Sequence, residues 1–146
     1  MARQTHKDLI RAHVIGDMTA GDAISEQIPG EEQLELFGYT TAFFILMLQQ
    51  RFGETASREA ITEFVEEMKY DYRSAEPPIR PLLIEGAIRG VFGEEGLLED
   101  IATGELVKVY YQVIAKIAVQ DPDVIPKLDE YLDAAGQLAD TWAEED

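Results

Sequence analysis

The side chains that could do chemistry begin with two histidines, His6 and His13, and with the carboxylate of Asp17. Seven helical residues would separate the histidines by about 10.5 Å, which is too far for both to bind one metal ion. His13 and Asp17 are four residues apart and share a helix face, but a metal would need a further ligand from another helix. The chain has no cysteine and no Glu-x-x-His pair of the di-iron type. We therefore predict no metal site and interpret His13 as a partly buried histidine with local hydrogen bonds.

The residue patterns of known catalytic motifs are also missing from the sequence. None of the three serines (Ser25, Ser57 and Ser74) lies in a Gly-x-Ser-x-Gly turn. The glycine-rich residues 90–96 lack the Lys-Ser/Thr pair of a phosphate-binding loop. Because the chain has 29 acidic residues, some carboxylates must lie close together, and no acid–base pair can be singled out. We predict no catalytic, cofactor-binding or metal-binding residue and no cofactor, and we lean towards a protein that is not an enzyme.

A small group of polar and aromatic residues is the best candidate for a pocket or an interface. Tyr110 and Tyr111 point about 100° apart on a helix, so that Tyr110 lies on an apolar seam and Tyr111 lies on a more polar side. Tyrosine combines apolar area with a polar hydroxyl, as binding surfaces require. The alternative is that this group forms only the rim of the core. The candidates are His13, Asp17, Lys108, Tyr111 and Gln112.

The secondary structure that positions these residues can be predicted from the spacing of apolar residues along the chain. That spacing predicts an all-α fold. We expect a compact single-domain bundle of about six helices over residues 1–146, with the helices 31–52 and 105–120 at its centre. Residues 36–50 carry no charge, and residues 42–48 are apolar without a break. Helix 105–120 has only a narrow polar stripe, formed by Lys108, Gln112 and Lys116.

The other predicted helices flank this centre. They span about 3–16, 57–76, 78–92 and 121–144, and a short helical turn follows a predicted N-cap at Thr19. Ser57 is the predicted N-cap of the helix after it, and Asp121-Pro122 is the predicted start of the last helix. A further turn is predicted at 97–101, and residues 144–146 are expected to fray.

The formal net charge is −17, and the charges are unevenly spread. Direct binding to nucleic acid is disfavoured, because it requires a basic face. Arg3, Lys7 and Arg11 recur every four residues, whereas residues 121–146 hold nine acids and one base. We predict that the first helix lies beside the last, within one chain or across a dimer, so that acids between Asp129 and Asp146 offset the unfavourable helix dipole at Arg3. The alternative is that both stripes are solvated.

The sequence also bears on location. Arg3, Lys7, Asp8 and Arg11 interrupt any apolar signal segment near the start. The uncharged run 36–50 is shorter than the roughly 20 apolar residues of a membrane span. We expect a cytoplasmic protein that does not contact membranes.

Three function classes fit these patterns. The first is a non-catalytic acidic helical interaction or assembly protein that binds a protein partner or itself, with a homodimer expected because the apolar helix faces exceed what one bundle can hide. It requires an exposed apolar patch. The second is a small-molecule binder or enzyme with a site in a bundle cleft, which requires converging polar groups. The third is an acidic nucleic-acid mimic that occupies a basic partner, which requires a continuous row of acids.

Overall fold

The computed structural model describes residues 2–76, 78–94 and 101–145, and over these ranges it is all-helical, with no strand. The predicted all-α bundle is confirmed, with seven α-helices in this part of the chain. A 3₁₀ turn at Gly30–Glu32 precedes the third of them. The helices are α1 (Ala2–Ile15), α2 (Met18–Glu26), α3 (Gln33–Phe52), α4 (Arg58–Asp71), α5 (Pro81–Val91), α6 (Thr103–Gln120) and α7 (Leu128–Glu145). Within the described ranges, none of these helices combines the length and apolar character that crossing a bilayer demands.

α3 and α6 form the centre of the bundle, as predicted. Phe43, Phe44, Met47 and Leu48 on α3 are fully buried, and the Phe44 ring stacks on Tyr110 of α6 with 4.2 Å between centroids. α3 packs against α1, α6 and α7, while α6 also packs against α1 and α5. An uninterrupted apolar run therefore forms a helix that is covered on most of its sides.

α1 and α2 form a hairpin through Gly16, whose φ of 83° suits glycine. The N-cap of α2 is Asp17, whose Oδ1 accepts a hydrogen bond of 3.0 Å from the Ala20 backbone N–H. The predicted cap at Thr19 is therefore wrong, and the segment makes a full helix instead of a turn. Gly21 of α2 is buried, and a Cβ at this position would lie 3.6 Å from His13 Nε2, so α2 packs closely over His13.

α4 and α5 form a second helix pair, and α5 also packs on α6. The predicted N-cap of α4 is confirmed, because the Ser57 hydroxyl accepts a 3.0 Å hydrogen bond from Ala60 N–H. α5 begins at Pro81 and not near residue 78, because proline is best accommodated in the first turn of a helix. The predicted turn at 97–101 lies almost wholly outside the described residues.

α7 begins at Leu128, so the predicted start at Asp121-Pro122 is wrong. A helix from Pro122 would place Pro126 in its interior, where proline lacks an N–H and forces Ile125 away from helical geometry. Asp121 instead follows the last residue of α6, and its Oδ1 accepts a 2.9 Å hydrogen bond from the Asp123 backbone N–H. The helix continues to Glu145, through most of the segment for which we predicted fraying.

One residue of the predicted polar stripe on α6 is buried. Lys116 is only 4% exposed, and its Nζ lies 2.5 Å from Asp71 Oδ2 on α4. The same ammonium group lies 5.9 Å from the centre of the Phe64 ring. Lys108 is exposed and Gln112 is half-buried, so the three residues do not share one environment.

α1 lies antiparallel to α7, and ion pairs join the two helices within one chain. This confirms the prediction that the basic first helix lies beside the acidic last helix. We call these pairs the α1–α7 ladder: they are Arg3–Asp140 at 2.7 Å, Lys7–Asp133 at 2.9 Å, and Arg11–Asp129.

Gly136 makes room for the first pair of the ladder. A Cβ at this position would collide with Arg3 Nη1, so the missing side chain allows the guanidinium to cross α7. The guanidinium carbon then lies 4.7 Å from the centre of the Tyr39 ring, and the Tyr39 hydroxyl donates a 2.8 Å hydrogen bond to the Leu132 carbonyl. A single glycine thus lets α1, α3 and α7 meet at one point.

Candidate functional site

A cleft opens between α1, α2, the first half of α3 and the start of α6. Its volume is about 330 Å³, and we call it the His13 cleft. Leu9, Leu36, Phe37 and Val107 provide the apolar part of its lining. The polar part comes from all four helices and consists of His13, Ser25, Gln33, Thr40, Thr103 and Tyr111.

Two of the lining residues, His13 and Tyr111, contact each other. Their rings stack with centroids 4.2 Å apart and an interplanar angle of 22°. Burial lowers the pKa of His13 below its usual 6.5, although the carboxylate of Asp22 opposes this effect. Burial also raises the pKa of Tyr111 to about 12, partly offset by a hydrogen bond with Thr40. Both rings are therefore uncharged at neutral pH.

The structure brings together two of the five candidate residues. His13 and Tyr111 line the same cleft, although they are far apart in sequence. Asp17, Lys108 and Gln112 are not among the lining residues. Asp17 caps α2, and Lys108 and Gln112 lie on α6 with Lys108 exposed. A role for these three residues stays a prediction.

A partly buried pair that the sequence reasoning missed involves the residue just before the first α3 residue of the cleft. His6 is fully buried, and its Nε2 lies 3.0 Å from Oε1 of Glu32, which directly precedes the cleft residue Gln33. Its Nδ1 is buried without a hydrogen-bond partner in the part of the chain that the structure describes. A signal was available, because His6 precedes Leu9 and Ile10 by three and four residues on the apolar face of α1.

A second concave surface lies between the start of α3 and the end of α7. Its volume is about 600 Å³, and we call it the α3–α7 groove. Leu34, Phe37 and Trp142 are the large apolar residues of its lining, and Gly38, Ala139 and Ala143 keep it open. Leu34 is 82% exposed, so most of its apolar surface is open to solvent at this groove.

The charged residues of the α3–α7 groove are mainly acidic. Glu31, Glu35, Asp140 and Arg3 belong to its lining. Asp140 is paired with Arg3 in the ladder, whereas Glu31 and Glu35 have no ion-pair partner among the described residues. The free charge at this groove is therefore negative.

In the described ranges, no three His, Asp or Glu side chains are placed so that they could hold a metal ion. Comparison of the chain with protein-family models, with curated proteins and with solved structures found no match.

Proposed function

We propose that this chain is a non-catalytic acidic interaction protein that binds a basic amphipathic helix of a protein partner in the α3–α7 groove. The observation that carries the proposal is Leu34, which is 82% exposed at the mouth of a groove lined by Phe37 and Trp142. Full burial of a leucine side chain contributes about 1.5–3 kcal/mol, and most of that gain is still available at Leu34. A helix that places apolar residues at helical spacing into such a groove is a common mode of recognition.

Charge complementarity selects the kind of partner. Glu31 and Glu35 add negative charge to the groove, and the whole chain carries −17. A basic segment is attracted over a distance by this field, whereas an acidic segment is repelled. A second copy of the chain is a poor occupant for the same reason, since its own formal charge is also −17.

The arrangement of acids favours a groove over a mimic of nucleic acid. A mimic requires an unbroken row of free acidic groups. Asp129, Asp133 and Asp140 on α7 are instead paired with the basic residues of α1 in the α1–α7 ladder. The acids of α7 that looked available in the sequence therefore contribute to the packing of α1.

The experiment compares two exposed leucines by calorimetry. The probe is a synthetic amphipathic helix of Leu and Lys, and its control carries Glu in place of each Lys. Leu34→Ser should weaken binding of the Leu–Lys peptide about tenfold or more, as truncation of a central interface residue does. Leu82→Ser is the matched control, because Leu82 is 85% exposed on α5 and lies outside the groove.

The proposal is wrong if Leu34→Ser binds the peptide as the unaltered protein does, or if the Leu–Glu peptide binds equally well. Sedimentation equilibrium at moderate salt separates the partner from a second copy. A species of twice the chain mass that Leu34→Ser converts to a monomer would make self-association the function of the groove.

A further inference from the structure

We propose that the His13 cleft is a second binding site, and that it takes a small, uncharged, planar molecule with hydrogen-bonding groups along its edge. The cleft is independent of the α3–α7 groove apart from Phe37, which contributes to the lining of both. Its volume of about 330 Å³ lies at the small end of the range for ligand pockets, roughly 300–1,000 Å³.

The lack of charge in the cleft determines the charge of the ligand. None of its lining residues is Asp, Glu, Lys or Arg, although the chain as a whole carries −17. A charged ligand would have to leave water without a counter-charge in the lining, which is costly. An anion would also be repelled by Asp22, whose carboxylate acts on His13. An uncharged molecule avoids both penalties.

The lining indicates a flat ligand with a polar edge. Tyr111 and Phe37 contribute aromatic rings, and Leu9 and Val107 contribute aliphatic surface. Planar molecules fit such a lining, because aromatic rings prefer to stack or to meet edge to face. The stacked pair of His13 and Tyr111 shows that this cleft already holds one such ring contact.

Hydrogen-bonding groups are placed both inside the cleft and at its edge. Thr40 is buried, and its hydroxyl donates a 2.8 Å hydrogen bond to the Leu36 carbonyl. Its oxygen also takes part in the hydrogen bond with Tyr111, which leaves one lone pair able to accept. Ser25, Gln33 and Thr103 are exposed at the edge. Hydroxyl and amide groups both donate and accept, so they fit a ligand that carries both kinds of polar group without a net charge.

The test uses three probes of nearly identical shape that differ in charge: benzamide, benzoate and benzamidine. Each is titrated into the isotope-labelled full chain, and backbone amide shifts are followed by NMR. We expect benzamide to shift amides of residues 9–13, 33–40 and 103–111, with an affinity at least about tenfold above that of either charged probe.

Two glycines provide matched variants for this experiment. Gly104 lines the cleft and Gly38 lines the α3–α7 groove, and a Cβ at either position would meet nothing within 4 Å. Both lie in helices, where replacing glycine improves helix propensity. Gly104→Phe should fill the cleft and weaken benzamide binding about tenfold or more, whereas Gly38→Phe should leave that binding unchanged.

The proposal is overturned if benzoate or benzamidine binds as well as benzamide. It is also overturned if benzamide shifts no amides up to millimolar concentration, or if Gly104→Phe leaves the shifts unchanged. If the unaltered protein binds benzamide in the cleft but does not bind the Leu–Lys peptide, the proposed function is wrong and the proposal for the cleft still stands.

Discussion

His6 and His13 lie on the same helix, yet the fold gives them different surroundings. His6 is fully buried against Glu32, whereas His13 is half-buried and stacks on Tyr111. The sequence placed His13 among the pocket or interface candidates, because it shares a helix face with Asp17. The sequence could not predict that Tyr111 stacks on His13, because the distance between α6 and α1 depends on the packing of the whole bundle.

The surroundings of His13 predict how stability depends on pH. Its pKa in the folded protein is below 6.5, so the folded state favours the neutral ring. When the pH falls through about 6.5, the unfolded chain takes up a proton at this position that the folded chain resists, and stability decreases. Asp22 on α2 weakens this effect and Tyr111 on α6 is uncharged, so burial decides the direction.

The check is urea unfolding of the unaltered protein and of His13→Gln at several pH values between about 5 and 8. We expect the unaltered protein to lose more stability than His13→Gln as the pH falls through that range. The two curves would run parallel if burial did not disfavour the charged ring of His13. His6 is present in both proteins and so cancels from the comparison.

Lys116 provides a prediction that depends on which partner of its ion pair is removed. Lys116 is almost fully buried, but the side chain of Asp71 is 47% exposed. Asp71→Asn leaves an unpaired buried ammonium group and should cost about 3 kcal/mol, at the low end for such pairs. Lys116→Met leaves only a carboxylate that water can reach, so its cost should be much smaller.

Denaturant unfolding of both variants measures this difference. Equal losses of stability would show that the ammonium group of Lys116 is not effectively buried. The predicted polar stripe on α6 was wrong at Lys116, because a lysine can bury its aliphatic chain and still bring its ammonium group to an acidic partner. No sequence pattern identified Asp71 as that partner, because Asp71 on α4 and Lys116 on α6 are distant in sequence and meet only in the tertiary structure.

At the scale of elements, the α1–α7 ladder was predictable because its signal is periodic. Arg3, Lys7 and Arg11 repeat every four residues, and one acidic segment is the obvious partner. The start of α7 was predicted wrongly because Asp121-Pro122 resembles a helix start, whereas Pro126 forbids the helix that would follow. Local signals thus predicted the neighbours correctly, but they misplaced the N-cap of α2 and the starts of α5 and α7.

The ladder predicts a rescue by charge exchange. Lys7→Glu and Asp133→Lys should each lower stability by about 0.2–1 kcal/mol at low salt, because the pair is partly exposed. The double variant should recover most of that loss, and the coupling should shrink as salt is added. A double-mutant cycle in denaturant measures it. Additive losses at low salt would mean that Lys7 and Asp133 do not interact in solution.

At the scale of the whole molecule, the sequence predicted the fold class and the two central helices, because both follow from apolar periodicity. It could not predict the His13 cleft or the α3–α7 groove. Each arises where helices distant in sequence diverge, and the packing around them depends on residues such as Gly21 and Gly136, where a Cβ would meet a side chain of another helix. Leu34 lies just before the uncharged run 36–50, and no sequence pattern singled it out; only the structure shows that it is exposed and lines a groove with α7.

The central claim is that a basic amphipathic helix occupies the α3–α7 groove, and Trp142 reports on it directly. Trp142 is the chain's single tryptophan and lines that groove. Titration with the Leu–Lys peptide should shift its fluorescence to shorter wavelength in a saturable way, because the bound helix excludes water from the indole ring. The shift should persist in Gly104→Phe and disappear in Gly38→Phe. Peptide binding that leaves Trp142 emission unchanged, or that Gly38→Phe does not weaken, would contradict the claim.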